Sequence, residues 1–486
     1  MAIFGIVMKR LALALTLALC ACSAGQKDPA PVGPVPTAEQ VAWHQDEVWA
    51  FVHFGLNTFT DKEWGYGDTD PSLFDPSDLD CEQWVRTFAA AGIKGVIVTA
   101  KHHDGFCLWP SKYTDYSVAA SPYKDGKGDI VGELSEACAK YGLKMGVYLS
   151  PWDRHQACYG TAEYVEYYHN QLCELLSSYG RISEVWLDGA NGGDGWYGGA
   201  NEKRSIDATK YYDYQRIAKE VEDLQPGAVI FSDGGPGCRW VGNENGQASE
   251  TDWAFLRGGE VYPGYPKYWE LGEGHADGDA WIPAECDVSI RKGWFWHDDG
   301  STKSAERLAE LYYESVGRGG KLLLNFPPDR RGLIPETDSL AAVQARGIID
   351  SELGENLLIG AKVTASGSFS GKNRPVNALD GSFDTYWAAR DTSATLEMSL
   401  PEAQVLERLA LQEYIPLGQR VKAFRVEYSS DGEGWLQLPV EEKTTTVGYK
   451  RILRFPGVMV KSIRIIFEDS RACPCISEVA AYGGSL

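Results

Sequence analysis

Glu184-Val-Trp-Leu-Asp-Gly-Ala-Asn191 ends an apolar run on a carboxylate, Asp188, immediately before a glycine. A carboxylate at the tip of a buried strand is costly unless water or a ligand reaches it. Asp before Gly is equally a turn residue, so this stretch alone leaves a cap and an active-site acid open. The same arrangement recurs along the chain. His53-Phe-Gly55 closes one apolar run, with Glu63-Trp64 soon after, and Lys101-His-His-Asp-Gly-Phe106 closes the next. Tyr148 and Trp152-Asp153 close a third, and Asp233 and Glu285 end later ones. Consecutive strands that end in His, Trp or a carboxylate describe a polar pocket on one face of an α/β barrel. His102 and His103 are adjacent, which on a strand sends their rings to opposite faces, and they lack the i, i+4 spacing of a helical zinc pair. No metal site is assigned on that basis. What remains is a pair of carboxylates among imidazoles and indoles, which is the chemistry of glycosidic-bond cleavage. One carboxylate attacks or stabilises the anomeric carbon; the other must stay protonated until it meets the leaving oxygen, so its pKa has to be raised.

The elements that must hold these residues alternate. Apolar runs at 48–54, 95–100, 144–150, 185–188, 228–232, 281–288 and 321–326 read as strands. Helical periodicity covers 81–91, 129–141, 162–179, 209–224 and 303–316. Alternation on this scale predicts a parallel α/β fold, a (β/α)8-like barrel over residues 41–350, with an open doubly wound sheet as the alternative. About seven strands are readable, so one repeat is degenerate or hidden. Residues 356–486 show short alternating strands and no helix, which predicts an all-β sandwich.

Composition narrows the function classes. The formal charge, 46 − 68 = −22, excludes a nucleic-acid partner on electrostatic grounds. Lys9-Arg10, the apolar run Leu11 to Leu19 and then Cys20-Ala-Cys22-Ser23 have the order of a secretory signal. Leu19-Cys-Ala-Cys22 resembles a bacterial lipobox, with Cys22 as the lipid-bearing residue. Residues 1–22 are therefore expected as a lipoprotein signal and 23–40, rich in Pro and Ala, as a flexible tether. The expected location is the periplasm or outer membrane, with membrane contact only through the lipid. The cysteines that remain are expected as buried thiols, since no paired CxxC motifs are present.

The motifs His53-Phe-Gly, Glu63-Trp64, Lys101-His-His-Asp-Gly-Phe106 and Trp186-Leu-Asp-Gly189 occur in the order and spacing of glycoside hydrolase family 29, the retaining α-L-fucosidases. Residues 40–350 resemble that family. The resemblance implies a double-displacement mechanism without a cofactor and places Asp188 as nucleophile. It implies that His53, Glu63, Trp64, His102, His103, Tyr148 and Trp186 hold fucose. Arg239-Trp-Val-Gly-Asn-Glu244 and Pro283-Ala-Glu285, followed by Gly293-Trp-Phe-Trp296, resemble the subgroup that cleaves branched α-1,3 and α-1,4 linkages. On that likeness Glu244 is the acid/base, with Glu285 as runner-up or substrate ligand, and Arg239 and Trp294 contact the sugar. The implied partners are fucosylated, Lewis-type glycans. Asn377-Ala-Leu-Asp-Gly381 with Thr385-Tyr-Trp387 resembles discoidin-like (coagulation-factor type C) modules of galactose-binding-like fold. That likeness implies a structural calcium to which Asp380 and Asp384 would contribute. Two alternatives stay open here: a glycan-binding protein that has lost catalysis, and a retaining glycosidase for another hexose.

Overall fold

The computed structural model describes residues 28–483. Its first half is a closed barrel of eight parallel strands, each lying between its neighbours in sequence. They are β1 (Val48–Val52), β2 (Gly95–Lys101), β3 (Lys144–Leu149), β4 (Glu184–Trp186), β5 (Val229–Ser232), β6 (Cys238–Trp240), β7 (Ala284–Ser289) and β8 (Lys321–Asn325). Helices cover the outside of the barrel, so the strands are buried on both faces and read as apolar runs. Those helices are α1 (Ala38–Asp46), α2 (Cys81–Ala90), α3 (Ile130–Tyr141), α4 (Ala162–Ser178), α5 (Tyr214–Leu224), α6 (Ala305–Ser315) and α7 (Glu336–Glu352). Their starts follow from capping chemistry. Asp80, Asp129, Asp213 and Ser304 each accept a first-turn amide with the side chain. The cap at Asp213 is why α5 begins later than its sequence periodicity suggests.

The strand hidden from the sequence is β6. Only Asp233–Gly237 separates it from β5, without a helix, although parallel neighbours normally need a crossover of about a dozen residues. The loop doubles back so that Cys238 pairs with Phe231, and Gly237 N–H donates to the Ile230 carbonyl. The predicted strand at 281–288 divides in two. Ala280–Trp281 pairs antiparallel with Phe255–Leu256 in the long β6–β7 connection, and β7 begins only at Ala284. Helix α7 was not expected at all.

The tether prediction is corrected. Helix α1 already starts at Ala38, held by a capping box between Thr37 and Gln40. Upstream of it, Val32 N–H donates to Leu417 O (3.1 Å), Arg420 donates to Ala30 O (2.6 Å) and Asp28 pairs with Lys372 (2.8 Å). The segment is extended, as its prolines dictate, but its backbone is bonded to the C-terminal domain. The signal and lipobox residues lie outside the described residues.

The C-terminal domain is a seven-stranded antiparallel sheet system built on two strands of 20 residues each, Ala394–Glu413 and Arg451–Ser470. Both are bent where their register shifts, between Ser399 and Gln404 and between Leu406 and Arg408. In the loop expected to hold calcium, the Asp380 carboxylate is taken up by the Ser382 amide (3.0 Å) and the Thr385 hydroxyl (2.7 Å). These donors close a turn around the Asp380 side chain.

Candidate active site

Phe51, His53, Trp64, His102, His103, Tyr148, Trp186, Asp188, Glu244, Asp287 and Trp294 line one cavity at the C-terminal end of the barrel. Asp188 sits two residues beyond β4. Tyr148, on β3, donates its hydroxyl to Asp188 Oδ2 (2.9 Å), and the Ala190 amide donates to Oδ1 (2.8 Å). These two donors fix the carboxylate in one orientation while leaving it partly open to the cavity. Behind it, a Cβ on Gly189 would stand 2.7 Å from Asp233 Oδ2 and 3.1 Å from the Gly264 backbone nitrogen, so a side chain there crowds the Asp233 carboxylate that holds the Gly264 amide.

The imidazoles are all driven toward the neutral form, and their tautomers follow from their partners. Burial lowers His53 to about 3. Its Nδ1 donates to Asn325 Oδ1 (2.9 Å), because the Asn325 amide group donates elsewhere, to Ser289 Oγ and the Trp294 carbonyl. His53 Nε2 is therefore left as an acceptor. His103, also lowered by burial, donates from Nδ1 to Ser150 Oγ (2.8 Å), whose own proton goes to the Trp152 carbonyl. Its Nε2 stands 3.8 Å from Asp188 Oδ2. Buried His102 stacks on Tyr148, and its Nδ1 has no partner among the described residues. A set of neutral imidazoles with free nitrogen atoms suits a cluster of sugar hydroxyls, and Trp64, Trp186 and Trp294 supply ring faces for the apolar side.

The expectation that His102 and His103 face opposite ways is wrong. Strand β2 ends at Lys101 after a register shift. Past the pleat the two rings turn to the same side, with centroids 4.1 Å apart.

Glu244 is on the loop after β6, where its carboxylate meets the cavity and accepts from Trp294 Nε1 (3.4 Å). Burial raises its pKa and the Trp294 N–H opposes the rise; the charges of Asp188 and Glu63 add to it. Asp287, not singled out from the sequence, also lines the cavity and accepts from Trp240 Nε1 (2.8 Å). Burial, reinforced by Glu244, holds it well above the usual carboxylate range. A signal for it existed. Asp287 lies two positions past Glu285 on β7, hence on the same face and one layer nearer the pocket.

Three predicted contacts fall elsewhere. Glu63 is beside the cavity and not in its lining. Its carboxylate accepts from the Trp294 and Phe295 amides (2.8 and 3.3 Å) and pairs with His297 (2.6 Å), fixing the loop that carries Trp294. A Cβ on Gly293 would lie 2.2 Å from Glu63 Oε1, so this approach requires glycine. Arg239 is corrected: it points outward from β6 and is wholly buried, bonded to Leu271 O, Ile282 O and Asp252. Glu285 is corrected as both acid/base runner-up and substrate ligand. It is 0 % exposed, one layer beneath the cavity, where it accepts from Trp186 Nε1 (3.0 Å) and faces Lys321 (3.2 Å). Glu184, Cys238 and Glu285 are the group that comes within metal-ligating distance among the described residues. Lys321 already serves as their cation, 2.7 Å from Glu184.

A closed parallel barrel whose strand ends gather carboxylates of contrasting surroundings with neutral imidazoles and indoles defines a glycoside hydrolase site. Residues 30–344 match the alpha-L-fucosidase family, and residues 362–479 match the F5/8 type C domain. The chain belongs to the α-L-fucosidase family, glycoside hydrolase family 29, and is an α-L-fucosidase. It is 42% identical over 463 residues to alpha-L-fucosidase 1 of Arabidopsis thaliana, covering 93% of this chain and 88% of that one. A family 29 crystal structure from an unknown rumen bacterium superposes with a TM-score of 0.85 at 43% identity, over 94% of this chain and 78% of the other. A Ruminococcus gnavus family 29 fucosidase in complex with fucose gives 0.84 at 33% identity, over 94% and 97%.

Proposed function

We propose that this enzyme removes terminal L-fucose from α-1,3- and α-1,4-branched, Lewis-type glycans with retention of configuration. The observation that carries the mechanism is the contrast between two carboxylates on one cavity. Asp188 is held by two donors and partly open, as a nucleophile requires, whereas Glu244 is raised by burial and two neighbouring charges, as an acid requires. Asp188 attacks the anomeric carbon as the glycosidic C–O bond breaks, and Glu244 gives its proton to the departing oxygen. The resulting fucosyl ester of Asp188 is then cleaved by water, whose proton returns to Glu244. His53, His102 and His103 accept sugar hydroxyls, and Trp64 and Trp186 cover its apolar face. The linkage preference is supported by the likeness of the Arg239–Glu244 and Pro283–Trp296 segments to the branched-linkage subgroup. The signal-like N-terminus supports export as a lipoprotein.

The test is azide rescue. Asp188→Ala loses turnover of an aryl α-L-fucoside and azide restores it as the inverted fucosyl azide, whereas Glu244→Ala yields the retained azide. The opposite pairing of products reverses the two roles. Faster release of fucose from an α-1,2-linked disaccharide than from a Lewis trisaccharide overturns the linkage preference and leaves the mechanism standing.

A further inference from the structure

Glu244 and Trp294 form a wall with two sides. One faces the fucose cavity; the other faces a second, larger cavity that also contains Arg291, Lys292, Lys303 and Arg307. If Glu244 delivers its proton to the glycosidic oxygen, the sugar beyond that oxygen lies on this second side. The inference therefore rests on the acid/base reading of Glu244.

The electrostatics of this cavity run against the rest of the molecule. The chain carries a formal charge of −22, yet four cations and one carboxylate line the space. Two of the cations are neutralised locally, Arg291 by Asp338 (2.7 Å) and Arg307 by Glu314 (2.8 Å). Lys292 and Lys303 have no carboxylate within ion-pairing distance among the described residues. Lys303 Nζ donates instead to the carbonyls of Ser289 (2.6 Å) and Arg291 (3.1 Å), which aim the ammonium without neutralising it. A half-buried ammonium without a counter-ion costs free energy that an incoming anion recovers. Neither lysine is paired with Glu244 among the described residues, although all three line this cavity, so both ammonium groups are free to meet a group on the leaving sugar.

We propose that the second cavity is a leaving-group subsite for a saccharide bearing an anionic substituent, a carboxylate or a sulfate ester, with Lys292 and Lys303 as its counter-ions. The experiment compares kcat/KM for a neutral Lewis trisaccharide with that for the same trisaccharide sulfated, or sialylated, on its galactose. The wild-type enzyme is expected to turn over at least one anionic form no more slowly than the neutral one, and which form it is identifies the source of the charge. Lys292→Glu, at an exposed position, is expected to lower the anionic-to-neutral ratio about three- to tenfold, leaving the neutral trisaccharide and an aryl fucoside unchanged. Lys303→Gln should lower the same ratio, and about 0.5 M salt should erase the wild-type advantage. A wild-type ratio far below one for both anions overturns the proposal, as does a ratio that neither substitution moves. Glu244→Gln on the neutral trisaccharide is read separately: full activity there sinks the acid/base reading, whatever the anionic ratios show.

Discussion

At the scale of single residues, the site works by giving chemically identical groups different surroundings. Asp188 and Glu244 are both carboxylates, but Asp188 is held by two short hydrogen bonds, from Tyr148 and the Ala190 amide, whereas Glu244 has a single long one from Trp294. The indole N–H of Trp294 favours the ionised form of Glu244 and so lowers its pKa; deleting it must raise the pKa. Activity that needs the protonated acid is present below that pKa and lost as pH rises through it. Trp294→Phe, which keeps a ring in the cavity wall, is therefore expected to move the alkaline limb of kcat/KM upward. The measurement is a pH profile on a Lewis trisaccharide, whose leaving group needs the proton. An alkaline limb that stays put or moves down would assign it to another group. The cavity imidazoles add no competing limb near neutrality, because burial has already driven His53, His102 and His103 toward the neutral form; His297, outside the cavity, is raised by Asp61 and Glu63 against the effect of burial.

At the scale of elements, the barrel floor under the sugar is a buried polar layer shared by β4, β7 and β8. Lys321 reaches Glu184 (2.7 Å) and Glu285 (3.2 Å), while Trp43 Nε1 donates to Glu184 (3.0 Å) and Trp186 Nε1 to Glu285 (3.0 Å). One ammonium cannot neutralise two buried carboxylates. Burial and the charge of Glu184 push Glu285 up against the pull of Lys321, so Glu285 keeps its proton. Glu285→Gln is then a near-isostere of the native species, with a carbonyl for Trp186 and an amide for Glu184, and should cost under about 1 kcal/mol. Lys321→Met strands Glu184 and should cost about 3–5 kcal/mol. Urea midpoints of the two variants decide it, and equal losses would mean that Glu285 is ionised in the native enzyme. The same layer shows why the site was only partly legible in sequence. Runs buried on both faces announce a strand but carry no alternation, so their ends cannot be fixed to the residue. From the sequence Glu285 reads as a strand tip although β7 continues to Ser289, and Asp287, two positions further on, is the residue that does reach the pocket. Arg239 is expected from the sequence against the sugar, whereas in the three-residue strand β6 alternation sends it outward between Cys238 and Trp240. The cavity residues His53, His102, His103 and Asp188 are legible because they lie just past strand ends, where a polar group after an apolar run has no packing reason to be there.

At the scale of the whole molecule, the C-terminal domain is part of what holds the barrel's least regular wall. The β6–β7 connection has no α-helix to brace it, and its residues 250–254 are held from outside. Gln419 accepts from the Ala254 amide (2.9 Å) and donates to the Asp252 carbonyl (2.8 Å), and Thr446 Oγ1 accepts from the Asp252 amide (3.0 Å). Asp252 in turn binds Arg239 on β6 (2.8 Å), the strand that leads to Glu244. Arg454 with Glu310 (2.7 Å), Arg408 with Glu352, and Tyr449 stacked on His44 extend the contact to α6, α7 and α1. These links tie the two domains into one unfolding unit. Gln419→Ala leaves a buried amide and a buried carbonyl unpaired, a loss of about 1–3 kcal/mol. Calorimetry of the full chain should show one transition displaced downward by about 1–3 °C per kcal/mol, the modest shift of a long chain. If the barrel and the sheet domain melt separately, with only one of them displaced, the contact does not couple them. The wall that carries Glu244 would then have to be braced by the barrel alone, through the pairing of β6 with β5 and β7.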